Sequence, residues 1–233
     1  ADGSLQGDLV RTGDSVFAVA YSPDGKKLAA AGADRAIRIY DLATGKQLLA
    51  IEDHADWVMD VAWTPDGKKL ASASRDKTSK VFDATSGDSL VTFNSHGQPV
   101  FGVGFSADGN LVITSGRDKN IRVWNTKDAK QVRAIGGFGD EVFRVVVAKD
   151  GKVYSSSADK TARIHTVGDG KQIRSLAGHK DWVYSVAVTP DSKLIATGSY
   201  DGEIRIWNAA DGKGTVTFVA APGYKAPQTA AAK

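Results

Sequence analysis

Hydrophobic and polar positions alternate in short runs along nearly the whole chain, and turn residues part the runs. In residues 179–208, HKDWVYSVAVTPDSKLIATGSYDGEIRIWN, alternating runs cover 183–188, 194–197 and 203–207. Pro190-Asp191-Ser192 separates the first two runs, and Asp201-Gly202 separates the second from the third. Alternate side chains along a strand point to opposite faces, so period-two alternation between such breakers predicts short antiparallel strands joined by hairpins. A fourth run at 215–219 follows the turn at Asp211-Gly212, and the whole stretch predicts one four-stranded sheet.

The pattern then repeats. Asp34, Asp76, Asp118, Asp159 and Asp201 recur at intervals of 42, 42, 41 and 42 residues. The first hairpins keep the same step: SPDGKKL at 22–28, TPDGKKL at 64–70, SADGNL at 106–111, AKDGKV at 148–153 and TPDSKL at 189–194. Asp-Gly between apolar runs is a hairpin signal because Gly accepts the positive φ such turns need. A period of this size marks propellers and solenoids. Five repeats follow, at 13–53, 54–95, 96–137, 138–178 and 179–219. Their third strands read IRIYD (37–41), SKVFD (79–83), IRVWN (121–125), ARIHT (162–166) and IRIWN (204–208). Residues 1–12 match only the end of a repeat, with Leu9 where Ile51, Phe93, Ile135, Leu176 and Phe218 fall, and read as a lone outer strand. Residues 220–233 are Pro and Ala rich without periodicity and read as a flexible tail.

Composition removes several function classes. With 42% hydrophobic residues, the 233-residue chain has apolar material for a globular all-β domain. Its net charge of +3 is a small difference between 30 basic and 27 acidic residues, and many lysines sit in hairpin turns, as at Lys26-Lys27 and Lys68-Lys69. Nucleic acid is excluded on that balance, since a phosphate-tracking surface needs a clustered excess. No cysteine is present, which removes disulfides and thiolate metal sites. No run approaches the roughly 20 apolar residues of a membrane span, and the N-terminus does not read as a signal peptide. Cytoplasm and bacterial periplasm both remain open. Thr44-Gly45-Lys46 lacks the earlier glycine of a phosphate loop, and the glycines at 136–140 are a loose cluster. His54, His96 and His179 hold one place in different repeats, which is not zinc spacing, so neither metal nor cofactor is expected.

A histidine near the start, an aspartate in the second hairpin and a Trp-Asp-like pair closing the third strand resemble WD40 repeats over residues 1–219. The resemblance implies an all-β, WD40-type β-propeller of five four-stranded repeats, with a side-chain network in each blade. Its members are His179, Thr197, Asp201 and Trp207 in repeat five and His96, Thr114, Asp118 and Trp124 in repeat three. Repeat two offers His54, Ser72 and Asp76 with Phe82 for Trp; repeat four offers Ser155 and Asp159 with Phe138 for His; repeat one keeps Asp34. A His-Ser-Asp set that recurs in blade after blade is a hydrogen-bond network, whereas a hydrolase needs its triad once, so no catalytic residue is assigned. Asp201→Ala is expected to cost about 1–3 kcal/mol by stranding its partners.

In the family pattern, partners contact one rim through two first-strand positions and the residue before the turn aspartate. The first position holds Ser15, Trp57, Pro99, Glu141 and Trp182; the second, Phe17, Met59, Phe101, Phe143 and Tyr184; the third, Ala33, Arg75, Arg117, Ala158 and Tyr200. Aromatic and Arg side chains dominate interface hot spots. The partner-binding candidates are therefore Trp57, Met59, Phe101, Phe143, Trp182, Tyr184, Arg75, Arg117 and Tyr200, although Phe17, Phe101, Phe143 and Tyr184 equally suit the filling of a narrow channel. Lys77 and Lys119 add positive charge, which suggests an acidic protein or peptide with an apolar anchor, and Asp56, Asp140 and Asp181 oppose it. These readings describe a non-enzymatic interaction module. The alternative is an accessory propeller segment of a longer bacterial protein whose enzymatic or electron-transfer domain lies elsewhere. Five inner strand sets against six outer strands favour a partial propeller, or one completed by another chain, over a closed five-blade ring. Open edges would promote self-association.

Overall fold

The computed structural model describes residues 13–94 and 96–220, so the expected outer strand in 1–12 and the tail at 221–233 lie outside the described residues. Among the described residues, twenty strands form five antiparallel four-stranded sheets in simple up-and-down order. Sheet 1 holds β1 (Val16–Tyr21), β2 (Lys27–Gly32), β3 (Ile37–Asp41) and β4 (Gln47–Ile51). Sheet 2 holds β5 (Val58–Trp63), β6 (Lys69–Ser74), β7 (Ser79–Asp83) and β8 (Ser89–Phe93), and sheet 3 holds β9 (Val100–Phe105), β10 (Leu111–Gly116), β11 (Ile121–Asn125) and β12 (Gln131–Ile135). Sheet 4 holds β13 (Val142–Val147), β14 (Lys152–Ser157), β15 (Thr161–Thr166) and β16 (Gln172–Ala177). Sheet 5 holds β17 (Val183–Val188), β18 (Leu194–Ser199), β19 (Glu203–Asn208) and β20 (Gly214–Val219). Among the described residues there is no helix, hence none long and apolar enough to cross a membrane.

Side chains close the turns. In the first hairpin Ser22 Oγ donates to Asp24 Oδ1 (2.6 Å) and accepts from Lys27 N (2.9 Å), which fixes the loop between β1 and β2. Thr64 with Asp66, Ser106 with Asp108 and Thr189 with Asp191 repeat the Oγ–carboxylate bond. In the second turn the residue after each repeat aspartate adopts positive φ: Arg35, Lys77, Lys119, Lys160 and Gly202. Only Gly202 does so without steric cost.

Each sheet buries one face against the next. Ile37 and Ile39 of sheet 1 pack with Val58, Val61 and Trp63 of sheet 2. Val81 and Phe93 of sheet 2 meet Val103, Phe105 and Trp124 of sheet 3, and Ile121 and Ile135 of sheet 3 meet Phe138, Val142 and Val145 of sheet 4. Tyr154, Ile164 and Leu176 of sheet 4 meet Val186, Ile195 and Trp207 of sheet 5. The first strands succeed one another as β1, β5, β9, β13 and β17, and among the described residues no comparable packing joins β17 to β1. The ends show it in their exposure. Val19 in β1 is 60% exposed where its counterpart Val61 is 5%, and Phe218 in β20 is 48% exposed where Leu176 is 1%. The five sheets are propeller blades in an open arc, not a closed five-blade ring, and β20 supplies the outer strand of sheet 5.

Candidate functional site

The polar residues of the repeats converge at the second turns. His54 Nδ1 lies 2.7 Å from Asp76 Oδ2 and its Nε2 lies 2.6 Å from Ser72 Oγ, joining the segment before β5 to β6 and to the turn that follows it. Burial pushes the Asp76 carboxyl up, but hydrogen bonds from His54 and Thr78 outweigh it and hold it well below the usual carboxylate range. In sheet 3, His96 Nε2 lies 2.7 Å from Thr114 Oγ1. Its Nδ1 is 3.1 Å from Asp118 Oδ1, off the direction a hydrogen bond needs, so that contact is electrostatic. Trp124 makes no hydrogen bond through Nε1; its ring stacks on Phe93 at 4.9 Å. Sheet 5 divides differently: Trp207 Nε1 donates to Thr197 Oγ1 (2.8 Å), and Thr197 Oγ1 is 2.6 Å from His179 Nε2. Asp201 accepts from Glu203 N (3.0 Å), while the buried His179 Nδ1 has no hydrogen-bond partner. In repeat three Asp118 and Trp124 stand outside the His96–Thr114 hydrogen bond, and in repeat five only Asp201 stands outside the set.

The second residue of each third strand was not singled out from the sequence, although Arg38, Lys80, Arg122, Arg163 and Arg205 are basic in register. Three of them pair with the turn aspartate four residues earlier: Arg38 with Asp34 (2.6 Å), Arg122 with Asp118 (2.8 Å) and Arg163 with Asp159 (2.7 Å). In sheet 4 the Arg163 guanidinium also lies 4.4 Å from the centre of Phe138, the residue standing in for the histidine. Ser155 reaches only Arg163 O, at 3.5 Å. Nearby His165 is buried, and burial with the Arg163 charge lowers its pKa to about 4, so it is neutral at pH 7. Arg205 instead takes Glu203 (2.8 Å). That pair accounts for the one trio of possible metal ligands among the described residues, His179, Asp201 and Glu203. Their ligand atoms lie within 4.8 Å of one another, and the Glu203 carboxylate among them is already engaged by Arg205.

At the same end of each sheet, a backbone bond ties the residue before the turn aspartate to the start of the first strand. Arg75 N donates to Trp57 O, Arg117 N to Pro99 O and Tyr200 N to Trp182 O, each at 2.9 Å. The preceding aspartates fix the entry, with Trp57 N bonded to Asp56 Oδ1 and Trp182 N to Asp181 Oδ1, both 2.8 Å. Positions far apart in sequence thus become neighbours on one rim, as antiparallel hairpins of equal length require. Trp57, Trp182, Tyr184 and Tyr200 are exposed, and Met59, Phe101 and Phe143 are half-buried. Two ring groups result. Trp57 contacts Phe17 (5.3 Å) and lies under the Arg75 guanidinium (4.6 Å). Phe143 contacts Phe101 (6.0 Å), Tyr184 (4.8 Å) and Trp182 (6.3 Å), and Trp182 and Tyr184 both reach Tyr200. The second-position rings therefore join the rim tryptophans. The rim cations are paired: Arg75 with Asp56 (3.4 Å), Arg117 with Glu141 (2.7 Å) and Lys119 with Asp140 (3.4 Å).

Deeper in the arc, Asp60 of β5 accepts from Val61 N and Val103 N (3.1 Å each) and from Arg144 of β13 (3.5 Å). It is a buried tie between first strands. Burial raises its pKa to about 6 against the lowering influence of Arg144 and the two amides. A wide concavity lies at the opposite end of sheets 4 and 5, between Lys152, Pro190, Asp191, Leu194 and Ala209. Turn residues line it, and none of the repeat network reaches it.

Successive up-and-down four-stranded sheets with a histidine–hydroxyl–aspartate motif at the second turn define a β-propeller of repeated blades. The chain belongs to the WD40 family: the WD domain, G-beta repeat model matches residues 3–41, 45–83, 87–125 and 170–208. Between the third and fourth matches lie the inner strands of sheet 4, where Phe138 and His165 replace the motif residues. Among curated proteins, the chain is 40% identical over 50 residues to the "Probable serine/threonine-protein kinase PkwA" of Thermomonospora curvata. That alignment covers 22% of this chain and 7% of the kinase.

Proposed function

We propose that the chain is a non-enzymatic WD40 interaction module that binds a protein or peptide through the rim carrying Trp57, Phe101, Phe143, Trp182, Tyr184 and Tyr200. The observation that carries this reading is the run of touching aromatic rings from Phe101 across Phe143 to Trp182 and Tyr200, contributed by three successive sheets. Rigid strands present the rings already assembled, so little conformational entropy is lost when a partner covers them. The partner in this reading brings an apolar or aromatic anchor. Acidic residues in it would engage Arg75 and Arg117, and Asp56 and Glu141 compete for the same guanidinium groups. The test is a pull-down from the native source with wild type and the Trp57→Ala/Trp182→Ala double variant side by side. Loss of a partner by a folded double variant is expected, and identical recovery would move the binding site off this rim. Uncovered faces on sheets 1 and 5 also favour self-association, which light scattering would read as a mass rising with concentration; a constant monomer mass removes it.

The kinase similarity favours a second reading, in which these blades are an accessory segment of a longer bacterial protein whose enzymatic domain lies outside them. A kinase or haem-attachment motif elsewhere in the open reading frame would decide for it. Both readings leave the rim as the contact surface.

A further inference from the structure

Sheets 2 and 5 carry the same rim element with one change. Trp57 and Arg75 hold the first and third rim positions of sheet 2, and the Arg75 guanidinium lies 4.6 Å from the centre of the Trp57 ring. Trp182 and Tyr200 hold the same positions in sheet 5, so the tryptophan there faces a second ring instead of an internal cation. Tyr184 completes a triangle, with ring centres 6.2 Å (Trp182–Tyr184), 5.9 Å (Tyr184–Tyr200) and 6.1 Å (Trp182–Tyr200) apart. The three planes are mutually tilted by 81°, 57° and 49°, which makes a cup and not a stack. Phe143 packs on Tyr184 from the sheet 4 side at 4.8 Å and supports it. Tyr184 lies in β17, Trp182 directly before β17 and Tyr200 directly after β18, and all three are exposed.

We propose that Trp182, Tyr184 and Tyr200 form a binding site for an alkylated ammonium group, with Asp181 supplying the nearby negative charge. This deepens the rim reading above by naming what one station of the rim takes. A charge seated over the middle of so compact a triangle lies within about 5 Å of all three ring centres, inside the roughly 6 Å over which ring quadrupoles attract a cation. Burial first, then Tyr200, Asp181 and Glu141, raise the Tyr184 pKa, so its ring stays a neutral phenol. Glu141 is engaged by Arg117 at 2.7 Å, whereas Asp181 makes no ion pair among the described residues. One carboxylate, which already accepts from Trp182 N, and three aromatic rings offer few acceptors for the three N–H groups of a plain ammonium, which holds its water strongly. An alkylated ammonium spreads its charge over an apolar skin and suits ring faces better.

The experiment titrates the full chain with choline and with its neutral isostere 3,3-dimethylbutan-1-ol, following tryptophan fluorescence. Saturable choline binding is expected, with the isostere at least about tenfold weaker, since only the charge separates them. Tyr200→Arg, which copies the sheet 2 arrangement, should weaken choline about tenfold or more by placing an internal cation over Trp182, while Leu48→Ala, exposed on the outer strand β4, leaves choline binding unchanged. Both positions are exposed, and an unchanged melting temperature checks folding. Equal binding of choline and isostere, no saturable choline response, or an unaffected Tyr200→Arg variant would each overturn the site. A short peptide bearing trimethyllysine that binds tighter than choline would assign the group to a peptide, and the reverse order to a small molecule. If choline binds yet the Trp57→Ala/Trp182→Ala variant captures partners normally, the cup stands and the protein-binding rim fails; if capture is lost and choline does not bind, the converse holds.

Discussion

Sheets 3 and 5 hold the same four motif residues and differ in where they stand in the arc. Sheet 3 has a neighbour on each face, and Ile121, Val123 and Trp124 are fully buried. Sheet 5 has a neighbour on one face only, and the counterparts Ile204 and Ile206 are half-buried while all of β20 is exposed. A complete motif therefore occurs in an exposed end sheet as well as in a covered one. Conversely, sheet 2 lacks the tryptophan, with Phe82 in its place, and yet bonds His54 to both Ser72 and Asp76. Burial by neighbouring sheets governs the energetics of a blade more than how many signature residues it carries, because apolar area removed from water supplies most of the folding free energy.

The largest expected effect contrasts a covered position with an open one. Val61→Asp places a charge in the contact between sheets 1 and 2 and should cost at least about 3 kcal/mol or prevent folding, while Val19→Asp at the register-equivalent open position should stay within about 1 kcal/mol. Urea unfolding of both variants reads the difference, and equal losses would mean that sheet 1 is covered after all.

A pH effect of similar size is expected inside the covered region. His165 has a folded pKa of about 4 against an ordinary value of 6.5, so the folded state binds fewer protons than the unfolded chain between those limits. Its contribution is intact above pH 6.5 and is lost as pH falls towards 4, up to about 3 kcal/mol. Asp60 acts in the opposite sense, since its raised value of about 6 makes the folded state bind more protons and lose stability as pH rises from about 4 to 6. His165→Phe should therefore lose less stability than wild type between pH 7 and 4.5, whatever Asp60 adds to both. Parallel urea midpoints at the two pH values would show it, and an identical drop would remove His165 as the cause.

A smaller effect separates the two turn aspartates. Asp76→Ala strands His54 and Thr78 and should cost about 1–3 kcal/mol, whereas Asp201→Ala removes a single backbone bond at an exposed end and should cost under about 1 kcal/mol. The sequence alone set the larger figure for Asp201, because the motif does not reveal that Glu203 and Arg205 have displaced it from His179.

What could be read from the sequence was local. Alternating apolar residues and Asp-containing turns specify the five sheets, since strand period and turn chemistry act within a few residues. The rim positions follow from the repeat, because equal hairpins bring Trp57 beside Arg75 and Trp182 beside Tyr200. Ring contacts and ion pairs were not legible, as they depend on the angle between sheets and on rotamers. Arg122 binding Asp118 was nevertheless signalled by a basic residue in register in every third strand. Whether a face is covered depends on a neighbouring sheet, and Val19 reads in sequence much as Val61 does.

Native-state hydrogen exchange at Val123 in β11 and Ile206 in β19 compares register-equivalent residues, each in a strand flanked by partners on both sides. If coverage by neighbouring sheets sets blade stability, Ile206 should open at a free energy at least about 2 kcal/mol below that of Val123. Equal protection at the two positions would contradict it, and would return the decisive role to the shared motif.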